Sequence, residues 1–107
     1  MDREIDVAEG FKLLVRGLED DGSVANADVE LIDAYGARWS ATVLTVPEIQ
    51  RLMLRYRDTG ECLGGAYFRV ADLLILDEPS LPSLVAVIEE LVRTETHRFE
   101  LAPIEEL

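Results

Sequence analysis

Two alternating segments on either side of one short turn constrain the fold of this chain more than any other feature. Residues 27–32 and 38–44 each alternate apolar with polar side chains, which is the period of a half-buried β-strand. Pairing Ile32 with Arg38 sets three apolar pairs on one face: Leu31 with Trp39, Val29 with Ala41, and Ala27 with Val43. Because a slip of one residue would invert every side chain, the sequence predicts an antiparallel hairpin in this register.

The other face of this hairpin is acidic in the sequence. The same register places Glu30 opposite Ser40 and Asp28 opposite Thr42. We expect Asp28 and Glu30 to point away from the core and to be exposed. The turn that precedes them in the chain adds three more carboxylates to the predicted patch: Glu19, Asp20 and Asp21.

Two amphipathic helices are predicted, each opened by a hydroxyl side chain that is followed by proline. Thr45-Val46-Pro47-Glu48 has the form of a capping box, with Gly60 as the stop, and Ser80-Leu81-Pro82-Ser83 opens the second helix. Apolar residues then recur at helical spacing: Ile49, Leu52, Met53 and Tyr56 in the first helix, and Leu84, Val87, Ile88 and Leu91 in the second. Arg51 and Arg55 share the opposite face of the first helix.

The order of elements predicts one α+β domain over residues 1–107. Strand patterns at 11–18, 67–70 and 73–77 join the hairpin, and Phe99 with Leu101 suggests a short edge strand. We expect an N-terminal strand and then a ββα unit followed by another, with both helices packed on one face of an antiparallel sheet of about five strands. Predicted core residues are Leu31, Trp39, Leu52 and Ile75.

Composition indicates a folded body with an acidic coat. Acidic residues number 22 against 10 basic ones, for a net charge of −12, yet 49% of the chain is hydrophobic, which is too apolar for a disordered acidic tail. The first residues lack the basic start and apolar stretch of a secretory signal, and no run is long enough to span a membrane. The expected compartment is therefore the cytoplasm.

The distribution of charge bears on the kind of partner. Residues 1–33 carry 10 acids and 3 bases, residues 34–76 carry 4 and 5, and residues 77–107 carry 8 and 2. A field of this sign repels nucleic acid phosphates and anionic membranes, so we expect neither as a direct partner. The same field accelerates encounter with basic proteins. Acidity that serves only solubility is the competing interpretation.

Residues that could carry other chemistry are sparse. Cys62 and His97 are the single cysteine and histidine, and nothing in the sequence orients them as a thiolate–imidazole pair. His97 is expected at the surface, and the Gly-rich segment around Cys62 is expected to form a tight turn. No carboxylate spacing matches a calcium loop, and Gly64-Gly65 lacks the lysine of a phosphate loop. We therefore predict no catalytic residues, no metal and no cofactor.

The leading hypothesis is a non-enzymatic protein-binding module. Its profile is similar in type to bacterial immunity proteins, which neutralise a toxin by covering its active site, although no motif carries this comparison. Docking residues are predicted on the acidic surface and its mixed-sign rim: Glu19, Asp20, Asp21, Asp28, Glu30, Arg51 and Arg55. One alternative is a small-molecule or accessory domain, with a pocket that the Cys62 to Tyr67 segment forms with Tyr56 and Trp39. A second alternative is a nucleic-acid mimic.

Overall fold

The fold is α+β, as the order of predicted elements indicated. The computed structural model describes residues 2–104. Its elements are β1 (Arg3–Asp6), a 3-10 turn (Ala8–Gly10), β2 (Lys12–Arg16), β3 (Asn26–Ile32), β4 (Arg38–Thr45), α1 (Val46–Thr59), α2 (Glu61–Gly65), β5 (Leu73–Leu76), α3 (Leu81–Arg93), α4 (His97–Glu100) and β6 (Ala102–Ile104). The strands form one six-stranded sheet in the order β1-β2-β3-β4-β5, with β6 also paired to β4.

The predicted hairpin register is confirmed. β3 and β4 pair antiparallel with Ile32 opposite Arg38 and Leu31 opposite Trp39. Asp33 shapes the turn between them, because its carboxylate accepts hydrogen bonds from the backbone N–H groups of Tyr35 and Ala37 at 2.9 and 2.8 Å. The alternation therefore fixed which side chains face the core.

Both predicted helix starts are confirmed. The Thr45 hydroxyl accepts from the Glu48 N–H at 3.3 Å, and the Ser80 hydroxyl accepts from the Ser83 N–H at 3.2 Å, so each caps one otherwise unpaired donor. Gly60 ends α1 with a left-handed backbone at φ 85°, as its position predicted.

The main core lies between the sheet and α3. Leu13, Val29, Leu31 and Val43 face it from the strands, and α3 contributes Leu84, Ile88 and Val92 in full burial. Trp39 is partly buried against this core. The buried Leu52 of α1 and Leu44 of β4 lie outside that cluster, so α3, not α1, supplies the helical side of the core.

The second half of the chain departs from the predicted repeat. β5 pairs with β4 in parallel, because α1 carries the chain back before β5 begins. No strand forms at 67–70, since Phe68 instead stacks on Tyr56 of α1 with ring centroids 6.4 Å apart. The second unit therefore has one strand rather than two.

Two further expectations about this half are wrong. Ile75 was expected in the core but is 53% exposed, because it alternates away from the fully buried Leu76 on the edge strand β5. The last strand is Ala102–Ile104 rather than a strand through Phe99, whose ring is exposed on α4. Leu101 between them is buried in the core.

The Gly-rich segment after α1, labelled α2 above, is a left-handed turn rather than a regular α-helix. Cys62 and Leu63 hold φ of 50° and 53°, and Gly64 and Gly65 continue with positive φ. A Cβ atom on Gly65 would overlap the carbonyl oxygen of Met53, so only glycine lets the turn lie this close to α1. This confirms a tight turn around Cys62.

Candidate protein-docking surface

The outer face of the β3–β4 hairpin contains the first pair of predicted docking residues. Asp28 is exposed, as expected. The expectation that Glu30 is exposed is wrong, because that residue is only 8% exposed. The Arg38 guanidinium donates to the Glu30 carboxylate at 2.5 Å, and Arg16 lies 3.7 Å from its other oxygen. Glu30 is therefore an internal counterion rather than a free acidic group.

Sheet geometry explains why Glu30 is covered. Arg16 in β2 pairs with Asp28, and Arg38 in β4 pairs with Ile32, so both arginines are diagonal neighbours of Glu30 on the same face. Diagonal neighbours are within reach of long side chains. Within the hairpin Glu30 lies opposite Ser40, and the pairing of β3 with β2 brings Arg16 to the same face.

A groove on this outer face has mixed polarity. Its volume is about 210 Å³, and the residues lining it include Arg16, Asp28, Glu30, Thr42 and Asp72. The Thr42 hydroxyl lies 3.4 Å from the Asp28 carboxylate. Since acidic and basic groups share the groove and Glu30 is already paired, this face is not the uniformly acidic surface that the sequence predicted.

A stronger concentration of free carboxylates lies where β2 ends and β3 begins. The N–H of Val24 donates to the Pro79 carbonyl at 3.0 Å, which holds the β2–β3 turn against the loop after β5. Asp21 and Pro79 also line one shallow depression of about 460 Å³, together with the basic residue Arg3. The contact brings together two acidic segments that are distant in the chain. We call their carboxylates the acidic end: Glu19, Asp20, Asp21, Asp77 and Glu78.

The turn that carries half of the acidic end is well ordered by hydrogen bonds. The Glu19 N–H donates to the Ser23 carbonyl at 3.0 Å, and the Gly22 N–H donates to the Glu19 carbonyl at 2.8 Å. The Ser23 N–H donates to the Asp21 carboxylate at 2.9 Å. Hydrogen bonds from the side chain and then the backbone of Ser23 hold the pKa of Asp21 below its ordinary value of 3.8.

All members of the acidic end are exposed. Within residues 2–104, none of them forms an ion pair. Glu78 accepts a hydrogen bond from the Ser83 hydroxyl at 3.3 Å, which leaves its charge intact. The acidic end therefore presents negative charge that the fold itself does not neutralise.

Of the predicted basic rim on α1, Arg51 is within electrostatic reach of the acidic end. Arg51 forms an ion pair with Glu48 in the first turn of α1, and this contact lowers the pKa of Glu48 and raises the pKa of Arg51. Glu19 also raises the pKa of Arg51 through its charge, so the two side chains are electrostatic neighbours. Arg55 adds a smaller effect on Glu48. The contacts of Arg51 within the described residues are thus to Glu48, and its link to the acidic turn is through charge alone.

Cys62 and His97 lie in different parts of the structure. Cys62 belongs to the left-handed turn against α1. His97 was expected at the surface, and this was wrong: it is 3% exposed and packs edge-on against Phe11 and Trp39. The polar neighbours of His97 in sequence gave no sign of this burial, because residues distant in sequence form the aromatic pocket around it.

The surface near the Gly-rich segment differs from the pocket proposed as an alternative. A depression of about 370 Å³ is lined by Gly65 together with Gln50, Met53, Leu54 and Arg57 of α1. Neither Tyr56 nor Trp39 contributes to it. Tyr56 stacks on Phe68, whereas Trp39 packs with Phe11 and His97.

Residues 2–104 contain no group of three or more His, Cys, Asp or Glu side chains arranged to hold a metal ion. None of the helices in this range has the length and apolar character needed to cross a membrane.

Comparison of the chain with protein-family models, with curated proteins and with solved structures found no significant match.

Proposed function

We propose that this protein is a non-enzymatic binding module of the immunity or inhibitor type that docks on a basic protein partner through its acidic end. The observation that carries the proposal is the convergence of two acidic segments, 19–21 and 77–78, through the Val24 to Pro79 hydrogen bond. Their carboxylates are exposed and have no ion-pair partner among residues 2–104. The partner would be a toxin or nuclease domain with a basic surface.

Unpaired carboxylates suit this role energetically. A carboxylate that is already paired must lose an intramolecular partner before it can bind another cation, whereas an unpaired one gains a partner without that loss. Uncompensated charge also raises the rate of encounter with an oppositely charged protein. The hydrogen bonds within residues 19–23 fix the turn before binding, which lowers the entropy lost in the complex.

Arg51 supplies specificity at the edge of this surface. Glu19 stabilises the charged form of Arg51, and Arg3 lines the depression beside Asp21, so positive groups border the acidic end. A partner that carries an acidic residue at the matching position gains a contact, and a uniformly basic partner meets repulsion there. The mixed border therefore favours a particular pattern of partner charge over basicity alone.

The experiment compares two double charge reversals of equal net charge. Asp20→Lys with Asp77→Lys changes the acidic end, and Asp58→Lys with Glu100→Lys changes two exposed acids elsewhere. Each variant and the wild type are immobilised, and the proteins that they capture from the native host are quantified by mass spectrometry. The proposal expects one partner that the wild type and the control variant retain and that the acidic-end variant loses.

The outcomes separate function from solubility. Equal loss from both double variants would mean that net charge alone governs capture, and it would overturn the acidic end as a docking site. Capture of no specific basic protein by the wild type would support acidity that serves only solubility. A captured nuclease whose DNA substrate competes with this protein would identify the docking target as the DNA groove.

A further inference from the structure

The two outermost strands of the sheet differ in the residues that they place at their edges. β1 lies at one end of the strand order and β5 at the other. Three of the four residues of β1 are charged, namely Arg3, Glu4 and Asp6, whereas none of the four residues of β5 is charged. Charged side chains on an edge strand are a common means of preventing another chain from pairing with it. The edge of β1 is therefore guarded by charge along its length, and the edge of β5 is not.

The register of β5 shows which of its backbone groups are free. The Thr42 N–H donates to the Asp72 carbonyl at 3.0 Å, and Thr42 lies opposite Leu73. In a parallel ladder that begins in this way, the N–H and C=O groups of Leu74 point toward β4. Those of Leu73 and Ile75 point to the other side, which is the open edge of the sheet.

No element of the described chain pairs with this open edge. β5 pairs with β4 alone among the strands of residues 2–104. Outside that ladder, the backbone of Leu73 and Ile75 makes no hydrogen bond to another described residue. β6 pairs with residues 38–40 of β4, whereas β5 pairs with residues 42–45, so β6 lies end to end with β5 rather than beside it. The open edge therefore offers two N–H donors and two C=O acceptors to an added strand.

The side chains of β5 leave apolar surface at the same edge. Leu76 is buried in the core. Ile75 points to the opposite face of the sheet and is 53% exposed. Leu73 lies on the same face as Ile75 and is partly buried. An added strand would cover Ile75 with the side chain directly opposite it.

Acidic residues flank β5 on both sides in the chain. Asp72 precedes the strand, and Asp77 and Glu78 follow it. All three are exposed, and none of them forms an ion pair within residues 2–104. Asp77 and Glu78 belong to the acidic end, so the open edge of β5 is continuous with the proposed docking surface.

This charge pattern selects the kind of chain that fits the edge. A second copy paired through β5 would place the acids that flank one strand beside those that flank the other. Like charges opposite each other destabilise a sheet, so pairing between two copies is disfavoured. A strand with an apolar centre and with Lys or Arg at its ends has the complementary charge.

We propose that an extended segment of the basic partner adds to β5 as a further antiparallel strand, with apolar residues at its centre and Lys or Arg at both ends. The inference deepens the proposed function and rests on it for the basic character of the partner. Backbone hydrogen bonds to Leu73 and Ile75 supply affinity. Ion pairs with Asp72 and Asp77 set the register.

The test titrates the full-length protein with the capped hexapeptide KTVTVK. In the antiparallel register its two lysines lie opposite Asp77 and Asp72, and its two valines lie opposite Ile75 and Leu73. Binding is followed by NMR through the backbone amide resonances of the protein and their solvent exchange rates. The peptide ETVTVE has the same length and strand propensity with reversed charge.

Two methylated peptides separate strand pairing from charge. N-methylation of both valines of KTVTVK removes the two N–H donors that face β5. N-methylation of both threonines removes two donors that face solvent and leaves length, charge and number of methyl groups the same. The valine-methylated peptide should bind about tenfold more weakly than the threonine-methylated one, because it lacks two backbone hydrogen bonds.

A pair of protein variants tests the charge at the far end of β5 from the acidic end. Asp72→Asn should weaken binding of KTVTVK about threefold, because it removes one exposed counter-charge. Asp72 has φ of 54°, a left-handed conformation that asparagine also tolerates, so the turn before β5 is preserved. Asp58→Asn removes an exposed acid on α1 and should leave the affinity unchanged.

The expected result is a saturable shift of the Leu73 and Ile75 amides, with slower solvent exchange at both. Equal affinity of the two methylated peptides would overturn strand addition, and equal affinity of KTVTVK and ETVTVE would overturn the basic character of the segment. A concentration-dependent dimer of the wild type that slows exchange at the same amides would overturn the proposal in favour of a second copy.

The result is independent of the capture experiment on the acidic end. A wild type that captures a basic protein through the acidic end but does not bind KTVTVK would overturn strand addition alone. A wild type that binds KTVTVK at β5 but captures no basic protein would support strand addition and overturn the proposed function alone.

Discussion

Carboxylate side chains lie in opposite environments on the outer face of the hairpin and at the acidic end. On the hairpin, Glu30 is almost completely buried and is paired with Arg38 and Arg16. At the acidic end, Asp20 and Asp77 are exposed and have no ion-pair partner among residues 2–104. The Glu30 carboxylate holds neighbouring strands together, whereas Asp20 and Asp77 are not engaged in ion pairs within the described residues.

The difference shows that net charge is a poor guide to where a partner binds. A sheet can neutralise an acidic position by diagonal pairing with its neighbours, and this depends on strand order rather than on local sequence. Loops at the ends of a sheet have no such neighbours. Free charge therefore accumulates where strands end, and the comparison can be tested by exchanging charge in each region.

The largest expected effect is on stability at the hairpin. Glu30→Lys would leave Arg16 and Arg38 without a counterion and place a third positive group between them, which should cost about 3 kcal/mol in the free energy of unfolding. Asp20→Lys should change it by no more than about 0.5 kcal/mol. Urea denaturation measures both, and similar midpoints for the two variants would contradict the distinction.

The next effect is on association. With the captured partner in hand, the double variant Asp20→Lys with Asp77→Lys should slow association about tenfold at low salt, because steering depends on uncompensated charge. Its rate should also depend less on ionic strength than that of the wild type. Stopped-flow measurements at two salt concentrations check this, and a wild-type rate insensitive to salt would refute electrostatic steering.

A smaller effect is expected when charge on the hairpin is removed conservatively. Asp28→Asn is isosteric and lies on the exposed outer face, directly opposite Arg16 in the pairing of β2 with β3. We expect partner association within about twofold of the wild type, since one screened charge outside the contact changes the rate little. Surface plasmon resonance can measure it beside Asp20→Asn, and a larger loss for Asp28→Asn would move the docking site to the hairpin.

The smallest effect concerns pH. The pKa of Glu48 is lowered in the fold by the hydrogen bond from Arg51, and that of Asp21 is lowered by Ser23. A carboxylate whose pKa is lower in the folded state than in the unfolded state stabilises the protein at a pH above its unfolded-state pKa. This contribution disappears as the pH falls through the folded-state pKa. Glu48→Gln should therefore lose slightly less stability than the wild type between pH 6 and 3, as measured by thermal unfolding.

Ser23→Ala tests the cause of the lowered Asp21 pKa at the acidic end. Removing the hydroxyl deletes the largest cause of the lowered Asp21 pKa, so that pKa should rise toward 3.8. A carboxyl-detected NMR titration measures the change directly. An unchanged titration curve would show that the Ser23 side chain does not hold the Asp21 carboxylate.

Local patterns predicted the elements well because their causes are local. Period-two alternation fixed the register from Ile32 to Arg38, and hydroxyl caps fixed the starts of α1 and α3. The α+β class followed from these. Each of these inferences needs only residues that are close together in the chain.

Local sequence patterns did not predict features that depend on contacts between residues distant in the chain. The parallel position of β5 exposed Ile75, and the aromatic pocket of Phe11 and Trp39 buried His97. The candidate site shows both cases. Its turn at 19–21 was predicted, but Asp77 and Glu78 joined it through a contact that no local pattern encodes.

The hydrogen bond from Val24 to Pro79 also makes the acidic end dependent on a contact between distant parts of the chain. A hairpin of neighbouring strands closes a short loop, whereas this bond joins residues separated in the chain by β3, β4, α1, α2 and β5, and closing so long a loop costs more entropy. A partly folded chain carries both acidic segments but does not hold them together. A partner that recognises the assembled pair binds only the native state, so its binding shifts the folding equilibrium toward that state.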